Sequence, residues 1–155
     1  MALTPDQIRT TYPLPVYNYR VEIDAVAVAF SEVSGLSMNY ATTLYAESSL
    51  NGKAPTWMYM PGQCDPIPLT LKRGVVSKVS VAALYGWIGS IQLNKVQKKD
   101  IYIRLCDENG NAVVSWKVIN AFPTKLEAPT FVASSNDVAI ESMELMADSI
   151  VVEQA

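Results

Sequence analysis

The chain has 155 residues, half of them hydrophobic and 17% charged, with a formal net charge of -3. That length supports one domain with a real core, and that composition excludes a chain that is mostly disordered. It contains no histidine, which excludes His-based general bases, Ser-His-Asp triads and nearly every zinc site.

Residues 17–24 alternate: Tyr17, Tyr19, Val21 and Ile23 point one way, and Asn18, Arg20, Glu22 and Asp24 the other. This predicts a strand with one dry and one wet face. Residues 25–30 continue apolar and predict a second strand after a tight turn, with Gly35 breaking the run. Residues 38–60 predict a long arm. Strand-like pieces at 38–45 and 56–60 flank the polar stretch Glu47-Ser48-Ser49-Leu50-Asn51-Gly52-Lys53, where Asn51-Gly52 supplies a turn. Met38, Tyr40, Leu44 and Tyr45 lie before the turn, and Trp57, Met58, Tyr59 and Met60 follow in succession, so both faces carry bulk. Such an arm either folds back on its own core, docks on another chain or lines a ligand pocket. Leu14, Val16 and Tyr17 have the same open choice.

Ile67, Leu69 and Leu71 predict a strand in which Pro68 requires an edge position or the first residues. Val81, Leu84, Tyr85 and Ile88 fall at helical spacing and predict a short helix over 80–89, capped by Ser77 or Ser80 and ended by Gly89-Ser90. Asn109-Gly110 predicts a type I′ hairpin. Its register sets Ile101 opposite Val118, Ile103 opposite Trp116 and Leu105 opposite Val114, all on one core face. Tyr102 then faces Lys117, Arg104 faces Ser115 and Cys106 faces Val113. Residues 138–147 predict a last strand. Val138 and Ile140 have one parity and Met143 and Leu145 the other, which predicts a β-bulge near Glu141-Ser142. Ile150-Val151-Val152 predicts a terminal strand. The expected fold is mainly β, an antiparallel barrel or orthogonally packed sheets, in one domain over residues 1–155 with one short flanking helix.

Motifs for chemistry are lacking: no GxGxxG, P-loop, HExxH, GxSxG or EF-hand loop occurs. Asp107-Glu108 beside the turn reads as solvated, Glu141 and Glu144 as surface or subunit ion-pairing groups, and Ser77-Lys78 as no dyad. Cys64 and Cys106 each read as a buried thiol. The doublets Lys72-Arg73 and Lys98-Lys99 read as solvated surface, so no nucleic-acid recognition is expected. No apolar run approaches the roughly 18 residues of a membrane span. The start, Met1-Ala2-Leu3-Thr4-Pro5-Asp6, has no basic or long apolar stretch, so no signal peptide and cytosolic folding are expected.

Three phrases carry a resemblance: Phe30-Ser31-Glu32-Val33-Ser34-Gly35-Leu36, Thr70-Leu71-Lys72-Arg73-Gly74-Val75 and Asn136-Asp137-Val138-Ala139-Ile140-Glu141. In this order and spacing they resemble the inner tube proteins of contractile tails, including phage tail tubes and, more distantly, the tube protein of type VI secretion. Tyr12-Pro13-Leu14-Pro15, Met60-Pro61-Gly62-Gln63, Ser90-Ile91-Gln92-Leu93-Asn94 and Asn120-Ala121-Phe122-Pro123-Thr124 look most like the extracellular injection-system branch. The likeness runs over nearly the whole chain.

The resemblance implies a structural protein with no catalytic activity, cofactor or metal. Such subunits close edge to edge into hexameric rings, and the rings stack head to tail through an arm, here residues 38–60. Implied partners are the chain itself, a sheath subunit, baseplate and spike proteins, a terminator, and a protein cargo in the lumen of a released extracellular particle. A baseplate tube-adaptor paralogue is a second form of this reading. A monomeric β-barrel binding a small apolar ligand is the reading from another class. One departure stands out: with Asn51-Gly52-Lys53-Ala54-Pro55-Thr56 before Trp57, the arm looks longer than expected of close family members.

Overall fold

The computed structural model describes residues 1–76 and 84–154. A short helix α1 (Pro5–Thr11) comes first, followed by strands β1 (Tyr19–Ile23), β2 (Val26–Val28) and β3 (Glu32–Ser34). A hairpin of β4 (Tyr40–Glu47) and β5 (Thr56–Cys64) precedes β6 (Ile67–Gly74) and the one-turn helix α2 (Gly86–Gly89). The chain finishes with β7 (Lys99–Cys106), β8 (Ala112–Glu127), β9 (Ile140–Ala147) and β10 (Ser149–Gln154).

The body is antiparallel and mainly β, with strand order β2-β1-β7-β8-β9-β6-β3 and β10 also on β8. The 16-residue β8 organises it. Its first half pairs with β7 on one side and β10 on the other, and its second half pairs with β9. The strand therefore belongs to two sheets and turns the corner between them. Asn120 makes the corner at φ 56. Its backbone N–H donates to Asp100 Oδ1 at 3.1 Å and its side-chain amide donates to Asp148 Oδ2 at 3.0 Å. Asparagine tolerates this left-handed conformation better than most residues.

Val21, Ile101 and Val118 from one sheet meet Ile67, Leu69, Leu71, Met143 and Leu145 from the other, all 0–1% exposed. Each such side chain contributes about 1.5–3 kcal/mol on leaving water. The alternation in β6 places Ile67, Leu69 and Leu71 inside, as expected. Pro68 sits beyond the β3 ladder, which covers only residues 70–72 of β6, so its missing N–H costs no bond there.

Several expectations need correction. The β7–β8 register matches in five pairs, from Ile101↔Val118 to Leu105↔Val114, but the turn is not type I′. Of its residues only Gly110 has positive φ, 81. Asp107 N–H donates to Asn111 O and Gly110 N–H to Asp107 O, giving a three-residue loop with a glycine bulge. Cys106 consequently pairs with Ala112 rather than Val113, and a register shift there restores the alignment farther along. The type I′ pair is Asp24-Ala25, at φ 51 and 66, between β1 and β2. No bulge occurs at Glu141-Ser142, because β6 and β9 pair without a break. Val138 and Ile140 simply face outward, 75% and 45% exposed, and the bulge lies in β8 between Pro123 and Lys125.

Of the helix expected over 80–89, Ser77, Ser80 and Val81 lie outside the described residues. Leu84 and Trp87 are the buried pair, and Tyr85 is exposed. Trp87 Nε1 donates to Gln97 O at 2.8 Å, which locks the ring against the core. The α1 helix was not expected. Thr4 caps it reciprocally with Gln7, and Pro5 occupies its first turn. It buries no residue, and Arg9 ties it to Asp107 and Glu108 at 3.5 Å each.

Candidate assembly surface

The hairpin β4–β5 is a separate two-stranded sheet. It runs on to Cys64, past the 38–60 expected, and leaves the body beside a hydrogen bond from Asp65 N–H to Asn39 O. Its pairs assign the faces. Leu44 opposite Tyr59 and Ala46 opposite Trp57 share one face; Thr43 opposite Met60 and Tyr45 opposite Met58 share the other. The β4 strand is exposed throughout, and β5 is exposed except at Gly62. All eight arm residues singled out from sequence, Met38, Tyr40, Leu44, Tyr45, Trp57, Met58, Tyr59 and Met60, are at least 40% exposed.

A two-stranded ribbon is marginal in water, and one with apolar groups on both faces lowers its free energy by being covered twice. The tip is ordered locally by the Ser49 hydroxyl and Asn51 carbonyl, which accept from Lys53 N–H. Gly52 supplies φ 71 there. At the root, Gly62 approaches Ala41 so closely that an added Cβ would lie 2.8 Å from its carbonyl oxygen. Gly35 is tighter still: a Cβ would fall 1.9 Å from Pro68 O, so β3 packs directly on β6 just before the arm departs.

The core-hairpin residues divide along the strand. Ile101, Ile103 and Val118 are buried, whereas Leu105, Val114 and Trp116 are half-buried toward one open end of the sheets. There Tyr19 donates its hydroxyl to Phe30 O at 2.6 Å, and burial, then the Glu32 carboxylate, raises its phenol above the ordinary range. On the opposite face of the same hairpin, Tyr102 lies beneath Arg104 at 4.5 Å and Lys117 at 5.6 Å. Its hydrogen bond raises the Lys117 ammonium above the usual lysine range. Arg104 also pairs with Glu22 at 3.1 Å.

Cys106 is buried as expected, but Cys64 is exposed at the end of β5, because the arm has no body beneath it. Glu141 is half-buried opposite Arg73; Arg73 Nε and Nη1 and Glu141 Oε1 lack hydrogen-bond partners among the described residues. Among the described residues no group of three His, Cys, Asp or Glu side chains is placed to hold a metal, and no helix is long and apolar enough to cross a membrane. The sequence leaves the exposed Val16 an open choice and does not mark the half-buried Leu36; both join the open end of the sheets.

The family described as T4-like virus tail tube protein gp19 matches residues 15–151. A chain of an extracellular contractile injection system, the PVC sheath-tube complex in its extended state, is 39% identical. The match covers 99% of this chain and 100% of that one, with a TM-score of 0.89. A chain of the anti-feeding prophage cap, the AFP tube terminating cap, is 42% identical over 100% of both chains, with a TM-score of 0.85. Hcp1 from Flavobacterium johnsoniae, 16% identical with a TM-score of 0.51 over 90% of this chain and 97% of its own, shares the fold alone. No curated protein sequence matches. An uninterrupted family match across both sheets and the arm leads to one assignment: the chain belongs to the T4-like virus tail tube protein gp19 family, a family of structural tube proteins rather than enzymes.

Proposed function

We propose that this chain is the tube subunit of an extracellular contractile injection system, closing into hexameric rings that stack into a conduit. The observation that carries this reading is the bare arm. A complete two-sheet body projects a ribbon that is apolar on both faces and, among the described residues, is left exposed. Open strand edges point the same way. Among the described residues β2, β3 and β10 each pair with one neighbour, and ring closure is a way to satisfy such edges. A head-to-tail contact between copies then propagates as a filament.

By analogy with the sheath-tube and cap assemblies, the tube sits within a sheath, on a baseplate and spike, and under a terminator. It carries a protein cargo in its lumen. Subunits assemble in the bacterial cytoplasm, and the finished particle acts outside the cell. The role is mechanical, with residues 1–155 working as one domain and the arm residues Met38, Tyr40, Leu44, Tyr45, Trp57, Met58, Tyr59 and Met60 as the contact between rings. A monomer that binds an apolar ligand would leave that arm in water.

The test is a concentration series of the purified full chain by size-exclusion chromatography and negative-stain microscopy. Rings or tubes with a central hole that grow with concentration are expected. A monomer at every concentration would overturn the reading.

A further inference from the structure

Strands β6 and β9 pair residue by residue along their length without a break. Their core faces carry Ile67, Leu69 and Leu71 from β6 and Met143, Leu145 and Ala147 from β9. Side chains alternate with a period of two. A one-residue slip would expose all of these groups, but a two-residue slip would leave each still facing the core. Apolar alternation alone therefore does not fix this register. Neither do the neighbouring strands: β6 otherwise pairs with β3 and β9 with β8, and each neighbour would travel with its own strand.

One pair on the core face is not apolar. Arg73, half of a doublet expected at the solvated surface, takes the inward position after Leu71 and is 8% exposed. Directly opposite it is Glu141. The guanidinium lies 5.9 Å from the centre of the Phe30 ring. Its Nε and Nη1, and Oε1 of Glu141, are withdrawn from solvent with no hydrogen-bond partner among the described residues. Arg73 is too deeply placed for an outside group to reach, so the opposite charge that answers it is Glu141 across the ladder.

We propose that Arg73 and Glu141 are the register key of this sheet. In the observed register the two charges face each other. A two-residue slip in one direction sets Arg73 against Met143; in the other it sets Glu141 against Leu71. Either slip leaves a buried charge against an apolar side chain, which is strongly unfavourable. The pair thus rejects the alternatives that the apolar pattern admits, although two well-packed apolar groups there would be as stable or more so. What it protects is the sheet's outline. A two-residue slip would move β3 by about 7 Å relative to the second half of β8, and these are the outer strands of the sheet that β6 and β9 share.

The test uses the full chain at high dilution, with Cys64→Ser and Cys106→Ala as background. Reporter cysteines sit on the outward face. Thr70→Cys with Glu144→Cys reads the observed register, because these positions are directly opposite. Thr70→Cys with Ser142→Cys, or with Met146→Cys, reads the two slips, since diagonal neighbours lie too far apart to bridge. After oxidation the monomer is mapped by mass spectrometry. With Arg73 and Glu141 in place, only the disulfide between positions 70 and 144 is expected. With Arg73→Met and Glu141→Met together, a slipped disulfide should be gained. A double variant that bridges 70 and 144 alone, or that fails to fold, overturns the proposal. Denaturant unfolding of the two single Met variants and the double variant checks that the charges act on each other: the double should be more stable than either single. Additive losses, the outcome for two independently hydrated charges, would also overturn the key. Neither readout requires assembly, so the tube reading stands or falls separately.

Discussion

Replacing Trp57 with aspartate separates a residue that holds the subunit together from one that holds subunits to each other. The indole is 58% exposed and faces Ala46 across the hairpin. A tryptophan offers roughly 200 Å², so about 120 Å² remains for a partner to cover, worth about 3 kcal/mol at 25 cal/mol/Å². A carboxylate in the same contact adds a desolvation cost. Each added subunit thus loses about 3 kcal/mol or more, which raises the critical concentration for assembly by at least about two orders of magnitude. Because the residue touches none of the body's core, the isolated subunit should melt within a few degrees of the parent. The assay pairs sedimentation of assembled material across a concentration series with thermal melting of the dilute protein. A cooperative loss of fold in Trp57→Asp, or tubes at the parental concentration, would refute the reasoning.

Gly35→Ala places a methyl 1.9 Å from Pro68 O at a φ of +87. It should cost about 3 kcal/mol or more through backbone strain and separation of β3 from β6, read by denaturant unfolding. Ala25→Gly should act in the opposite sense: the type I′ turn holds Ala25 at φ 66, and relieving it is worth about 0.5 kcal/mol, seen as a small rise in melting temperature. Acid should loosen the β7–β8 tip. The backbone N–H of Asn111 chiefly, with that of Asn109 and the Arg9 guanidinium, holds the Asp107 carboxyl below its usual range. Its contribution is complete above the unfolded value near about 4 and fades as pH falls through the lower folded value. Melting curves of the parent and Asp107→Asn should therefore converge below about pH 4; a constant gap would contradict this.

Patterns repeated over several residues were legible in the sequence. The β7–β8 register could be read because Ile101, Ile103, Trp116 and Val118 each need the same face, even though the turn assumed for it was the wrong type. The bulge beyond Leu105 compensates for the different loop. The arm's double-sided bulk was legible for the same reason: four large side chains in succession cannot all face one way. Single-residue geometry was less visible. Asp24-Ala25 contains no glycine to announce its left-handed turn. The one-turn α2 is too short for periodicity to distinguish Trp87 from Tyr85. The signature Thr4-Pro5-Asp6-Gln7 was present for α1, but the helix has no apolar stripe because it rests on ion pairs instead of a core. The open end of the sheets was less visible, since Val16, Leu36 and Leu105 come together only once the two sheets are in place.

The corner-turning of β8 has a mechanical consequence. A push or twist delivered to one wall of the subunit passes to the other through an unbroken polypeptide backbone, not across a sliding interface. The walls cannot shear apart without stretching covalent bonds. A unit wired this way keeps its cross-section under axial load, and any yielding is directed to the joints between subunits.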